Sequence, residues 1–304
     1  MRTELSGHES RGTAIAGGGA YIFGSIFMGI GVFILLRATN VITAGKVNVP
    51  LRILGVVGGI FFFPGFLVFI QGIIGSFKQA RKRRLRQQHP DQPWLGDYEW
   101  NEREVRDDSL RSIRNSFLFF IFLGFFLVPF NWFWYQEKSH PVLIIVVGLF
   151  DLLEVFLFFR VIYLVLRFLK YGRSYLRFSR FPFFLGETID FQFGTTRDIR
   201  DYEDMKFTLR CIEEQTETRG SGNNRSTQVV SYQIYAEEQS FGEGDHRQMR
   251  GEIEVSFPLP DAPTYNTSLS SLPLKYWEVE VSAKTPGIDY AAVFLVPVYA
   301  HGSD

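Results

Sequence analysis

The chain has little cysteine and no surplus charge of either sign: one Cys in 304 residues, and 32 Lys plus Arg against 32 Asp plus Glu. One Cys excludes a disulfide framework. A net charge of zero excludes the uniformly basic domain of a nucleic-acid binder, so no nucleic-acid partner is expected. Patterns that hold metals or phosphates are missing too. His8, His89, His140, His246 and His301 show no ligand spacing with Cys or acidic residues, and no phosphate loop or nucleophile elbow is present. Cys211 alternates with Phe207 and Leu209, the pattern of a core thiol and not of a nucleophile. No cofactor, metal or catalytic constellation is therefore expected.

What is present is unevenly distributed. Up to Ser174 there are 20 basic and 12 acidic residues, and from Tyr175 onward 12 basic and 20 acidic, so the halves carry +8 and −8. The first half also holds four long apolar segments. Ala14 to Leu36 has no charged residue and is longer than the ~30 Å apolar layer of a bilayer requires. Its length, and Arg37 directly after it, distinguish it from a cleaved signal peptide. The second segment runs from Ile53 to Phe77, the third from Ser116 to Tyr135, closed by Trp132, Trp134 and Tyr135 as an interfacial belt. The fourth runs from Pro141, suited to a first helical turn, to Leu169.

This pattern predicts four transmembrane helices in two hairpins. The domains expected are residues 1–77 (first hairpin, spans 14–36 and 53–77), 78–115 (basic and aromatic loop), 116–174 (second hairpin, spans 116–135 and 141–169) and 175–304. Lys78, Arg81, Lys82, Arg83, Arg84 and Arg86 crowd after the second span, whereas the loops at 37–52 and 136–140 carry few basic residues. Basic residues mark the cytoplasmic side, so both termini are expected inside a plasma membrane, with the run near anionic lipid headgroups. Glycines concentrate in the first two spans. Ala16, Ala20 and Gly24, and Gly55 with Gly59, form small-residue faces for close packing of these helices or of two subunits, a possible homo-oligomer.

In the loop 78–115, Asn101 with Glu104 reads as a capping box, from which a polar helix would lead into the third span. Trp94 and Trp100 are expected either at headgroup level or against the C-terminal domain. Beyond Phe181 the period changes to alternation, as in Ile189, Phe191, Phe193 and in Trp277, Val279, Val281. Several such strands separated by polar turns predict an all-β cytoplasmic sandwich.

The loop motif His89, Pro90, Pro93, Trp94, Leu95 and Trp100 combines with three features near the C-terminus: Trp277 on a strand, a Pro286-Gly287-Ile288-Asp289 turn, and Phe294 with Pro297-Val298. Together they resemble a group of uncharacterised bacterial multi-pass membrane proteins with a domain of unknown function. The resemblance spans Lys78 to Val298 and implies an arrestin-like or immunoglobulin-like sandwich. It implies no activity. Gly96-Asp97-Tyr98 stands where that group has a further Trp and a basic residue.

Two functions are expected to compete. In the first, a membrane anchor presents the sandwich to a protein partner through an edge strand or end loops. In the second, a small transporter or channel subunit uses Asp151 and Glu154. Asp151 lies roughly 15 Å along the fourth helix from Pro141, near the membrane midplane, with Glu154 one turn on. Ionised groups there are costly, and mark either an ion site or interhelical bonding to Gln71, Asn131 or a Ser of another span, or pairing with Arg160 across subunits.

Overall fold

The computed structural model describes residues 2–5, 7–8, 18–42, 50–137, 141–199, 202–219, 225–242 and 252–301. The expectations placed on Ala16, His140 and His246 lie outside them, as do the side chains of Ala20, Trp134 and Tyr135. The chain divides into two compact units. One comprises Ile15–Ala80 and Arg111–Val165, the other Met1–Ala14, Arg81–Leu110 and Leu166–Asp304.

The first unit is helical: α1 (Gly18–Ala38), most of α2 (Leu51–Gln88), most of α4 (Ser109–Glu137) and most of α5 (Pro141–Tyr171). Three of these, at Tyr21–Ala38, Leu51–Gln88 and Ser109–Trp132, are long and apolar enough to cross a membrane, one fewer than the sequence pattern suggests. The fourth helix is there at 31 residues and starts at Pro141. Among its residues with described side chains, from Ile144 on, every 18-residue stretch holds at least three of Asp151, Glu154, Arg160, Arg167 and Lys170.

α1 and α2 touch backbone to backbone, and glycine makes this possible. A Cβ on Gly31 would lie 2.4 Å from the Phe62 amide nitrogen, and one on Gly65 2.4 Å from that of Met28. Gly24 meets Phe69 in the same way. Gly55 only grazes Ala38, while Gly59 faces open space, as does Gly29. α4 and α5 pack instead through the buried side chains of Leu123, Leu127 and Leu157, with Phe120 beside them.

The second unit is a β-sandwich. Its strands are β1 (Thr3–Glu4), β2 (Glu104–Arg106), β3 (Ser174–Phe178), β4 (Phe183–Phe184), β5 (Thr188–Thr195), β6 (Asp204–Arg219), β7 (Ser226–Gly242), β8 (Glu252–Pro258), β9 (Leu274–Ala283), β10 (Tyr290–Val296) and β11 (Val298–Tyr299). One sheet has the order β1-β7-β6-β9-β10 and the other β2-β3-β5-β8. β11 pairs in parallel with β4. Alternation explains the core. Ile189, Phe191 and Phe193 of β5 face Phe207, Leu209 and Cys211 of β6 and Trp277, Val279 and Val281 of β9, all buried in one cluster.

Two boundaries differ from the sequence reading. α2 continues through the whole basic run to Gln88, because nothing there breaks a helix before Pro90. The predicted capping box forms no helix. Asn101 instead accepts the Arg103 amide at 3.1 Å, and Glu104–Arg106 become strand β2, which pairs with β3 and packs Val105 on the core. A ladder and a buried Val outweigh one cap. The sandwich therefore takes strands from three separate parts of the chain.

Candidate functional site

In the helical unit the structure joins two of the polar residues singled out above. The Asn131 side-chain amide donates to Asp151 Oδ1 at 2.9 Å across the α4–α5 seam. Three residues on, Glu154 lies over Gly124, where a Cβ would meet its Oε1 at 2.6 Å. Glycine is thus what admits the second carboxyl to the seam. Gln71 is exposed on α2, and no hydrogen bond links it to Asp151 or Glu154 among the described residues. Arg160 is exposed farther along α5.

The basic run divides by face. Lys78, Arg81, Arg83 and Arg84 are exposed, whereas Lys82 and Arg86, four residues apart on one helical face, turn to the segment that follows. Lys82 Nζ donates to the Asp97 carbonyl at 3.1 Å, and Arg86 to the Gly96 carbonyl at 3.3 Å. Arg86 also lies 3.5 Å from the buried Asp97 carboxylate, which accepts the Ser270 hydroxyl. Asp97 thus ties α2, the aromatic segment and the β8–β9 connection together. A buried carboxylate is tolerable only with such partners.

That clamp decides where the tryptophans go. Pro93 opens the short helix α3 (Trp94–Asp97), its carbonyl accepting the Gly96 and Asp97 amides at 3.1 Å. Trp94 packs on Phe184 and Tyr299, with ring centroids 6.0 and 5.8 Å away. Trp100 donates from Nε1 to the Tyr299 hydroxyl at 3.1 Å. Both rings therefore seal against the C-terminal domain. His89 and Pro90 remain exposed where α2 ends, and Leu95 is also exposed.

The C-terminal motif residues serve the sandwich. Trp277 is fully buried, with Nε1 donating to the Tyr265 carbonyl at 2.8 Å. Phe294 and Val298 are core residues, and the Pro297 carbonyl accepts the Phe183 amide at 3.0 Å. The Pro286–Asp289 turn has a second task. Gly287 takes φ +84°, Asp289 accepts the Thr285 amide at 3.1 Å, and the turn receives the end of α5. Lys170 Nζ donates to Thr285 Oγ1, the Pro286 carbonyl and the Ile288 carbonyl at 2.8–2.9 Å. Tyr171 bonds Thr285 and the Ile288 carbonyl beside it. The last turn of α5 is thereby built into the sandwich.

An open groove of about 690 Å³ is lined by Asn101–Glu104 and Arg177–Phe181. Two of its arginines are engaged, Arg177 with Glu252 at 3.0 Å and Arg180 with Glu187 at 2.8 Å. Burial pushes the Cys211 thiol well above its ordinary value, as expected of a core residue and opposite to a nucleophile. Sequence reasoning missed the roles of Asp97, Ser270, Lys170, Arg2–Leu5 and His8, whose partners lie far away in the chain.

No protein-family model matches the chain, and no curated protein does. Among solved structures it is similar to the sporulation control protein Spo0M from Bacillus subtilis, at 15% identity and a TM-score of 0.24. The match covers 42% of this chain and 48% of that one, so it spans about half the length of Spo0M. At that score it carries no argument about fold or function.

Proposed function

We propose that the protein is a four-span membrane anchor that presents an arrestin-like or immunoglobulin-like sandwich to a protein partner on the cytoplasmic side of the plasma membrane. The observation that carries this reading is the threading of the chain. The sandwich unit is made of Met1–Ala14, Arg81–Leu110 and Leu166–Asp304, so each intervening helical pair leaves it and comes back to it. A bilayer crossed once by α4 has to be crossed again before Leu166. This supports α5 as the fourth span despite its charges, with Asp151 and Glu154 turned into the α4–α5 seam. The exposed basic side chains Arg81, Arg83 and Arg84 then mark the inner surface, where anionic lipid headgroups gather.

Single cysteines in a Cys211→Ser background test the topology. A membrane-impermeant thiol reagent added to intact cells should label Asn48→Cys and Lys138→Cys, and should reach His89→Cys and His301→Cys only after permeabilisation. Labelling of His301→Cys in intact cells would overturn the reading. For the partner, a photocrosslinking residue at Val229 should give one stoichiometric adduct in native membranes, and its absence from several surface positions would sink the interaction role.

The Asn131–Asp151 bond keeps a second reading alive, a small transporter or channel subunit whose ion step uses Asp151 and Glu154. Asp151→Asn with Glu154→Gln should abolish proton or cation flux in proteoliposomes if this reading is right. Unchanged flux leaves the pair as interhelical glue.

A further inference from the structure

The interaction role above names no surface, and one edge of the sandwich supplies it. Resting on that role, we propose that the outer edge of β7 is a strand-acceptor site, occupied in this chain by its own residues Arg2–Leu5 with His8 beside them, and open to a partner's extended segment with a basic residue, an acidic residue two positions on, and Leu next.

The occupant is seated in detail. Thr3 and Glu4 pair antiparallel with Gln233 and Tyr232, and the Leu5 amide donates to the Ser231 carbonyl at 2.9 Å. Arg2 stacks over the Tyr232 ring at 3.9 Å and reaches Glu213 at 3.3 Å. Glu4 meets Arg219 at 3.0 Å. Leu5 packs on Ile212, Tyr276 and Leu295, a small core separate from the main one, and His8 Nε2 lies 3.0 Å from the Tyr276 hydroxyl. Main-chain pairing fixes the direction, and alternate side chains read the sequence, which is how strand-addition sites select ligands.

The same occupant is easily displaced. It covers only Tyr232 and Gln233 with paired residues, out of 17 in β7, and among the described residues no other strand lies on that edge. The ion pairs of Arg2 and Glu4 have Arg2, Arg219 and Glu4 side chains 43–46% exposed, so they are screened by salt and hold weakly, while His8 Nε2 lies 3.8 Å from the buried Glu278 carboxylate. A long strand edge left this bare is otherwise an aggregation hazard that folds cover. What the resident strand has in its favour is its tether, which supplies an effective concentration on the order of millimolar. A partner segment pairing along Ile234–Gly242 as well gains ladder bonds that the resident lacks.

The probe is a labelled peptide of this chain's own residues 2–8, Arg-Thr-Glu-Leu-Ser-Gly-His, titrated by fluorescence anisotropy against the full-length protein in detergent. A variant lacking residues 2–8 should bind it at least ~10-fold more tightly than the intact chain, whose site is already filled. A peptide carrying the Glu4→Arg change should lose ~10-fold, and receptor Arg219→Glu should restore it. If the deletion unfolds the sandwich, which Cys211 would report by becoming alkylated, the full-length Glu4→Arg chain replaces it, since its weakened resident should admit the wild-type peptide. No binding to a folded deletion variant, or binding indifferent to the charge swap, overturns the proposal. A disulfide between Glu4→Cys and Tyr232→Cys separates this site from the wider role. Partner capture that survives the lock overturns the β7 site and leaves the interaction role standing. Peptide binding without any cellular partner does the reverse.

Discussion

The two units of this chain are inverse in where they put large apolar side chains. In the helical unit they point outward, with Phe63 and Leu152 each 66% exposed, while its buried contacts are glycines and a few leucines. In the sandwich they point inward, and its few large apolar outliers, such as Leu272 and Val229, sit at loop or hairpin ends. The same residue types take opposite sides, which is what the proposed membrane setting of the helical unit would produce. In water, removing apolar area is the main driving force; in lipid it drives nothing, and close van der Waals approach takes its place. Glycine at Gly31 and Gly65 is then a packing residue, whereas at Gly287 it is a conformational one.

A charge placed outward should separate the units most. Leu152→Arg is expected to lower membrane insertion by about 3 kcal/mol, and Val229→Arg to change stability by no more than ~0.5 kcal/mol. Glycosylation-mapped insertion and thermal melts read the two, and equal effects would break the contrast. Next comes helix approach. Gly65→Val pushes a side chain into the Met28 backbone and should cost about 2 kcal/mol in a detergent unfolding titration, while Gly29→Ala, facing open space, should cost nothing. A smaller effect is expected at the polar seam. Asn131→Leu removes one interhelical bond, worth about 1 kcal/mol in a membrane bundle. A loss well above that would mean Asp151 has no other support.

The smallest expected effect is in the sandwich and depends on pH. The Tyr232 hydroxyl, and after it Arg219, donates to Glu217 and holds its carboxyl below the usual value. A depressed carboxyl stabilises the folded form at neutral pH, and that contribution is lost as pH falls below the ordinary Glu value of ~4.3. Tyr232→Phe should move the Glu217 midpoint upward in a carboxyl NMR titration. An unmoved midpoint would assign the depression to arginine alone.

Much of the sandwich was legible because alternation is a local signal. Phe207, Leu209 and Cys211, or Trp277, Val279 and Val281, declare their inward face without reference to any other strand. The helices were legible for a similar reason, although the end of α2 was not, since a basic helix and a basic loop have the same composition. β1 was invisible, as two residues carry no period. β2 was misread because Asn101 and Glu104 fit a local cap, and only the distant β3 ladder overrides it. The site residues split in the same way. Asp151 and Glu154 stood out against an apolar background, but Asp97 did not, because its partner Ser270 is 173 positions away. The three acceptors of Lys170 lie 115 to 118 positions ahead of it and belong to a turn whose own motif suggested only a turn.

The short strand β1 also has a consequence for the order in which the protein is made. Glu4 is made well before its partner Arg219, which follows 215 positions later. At ~5–20 residues per second, the N-terminal segment waits on the order of ten to forty seconds with no edge to join. During that interval all the α-helices are made, so β1 can be placed only after β7 has been synthesised. β7 therefore emerges into a chain whose resident segment is already waiting, and the two have only to meet.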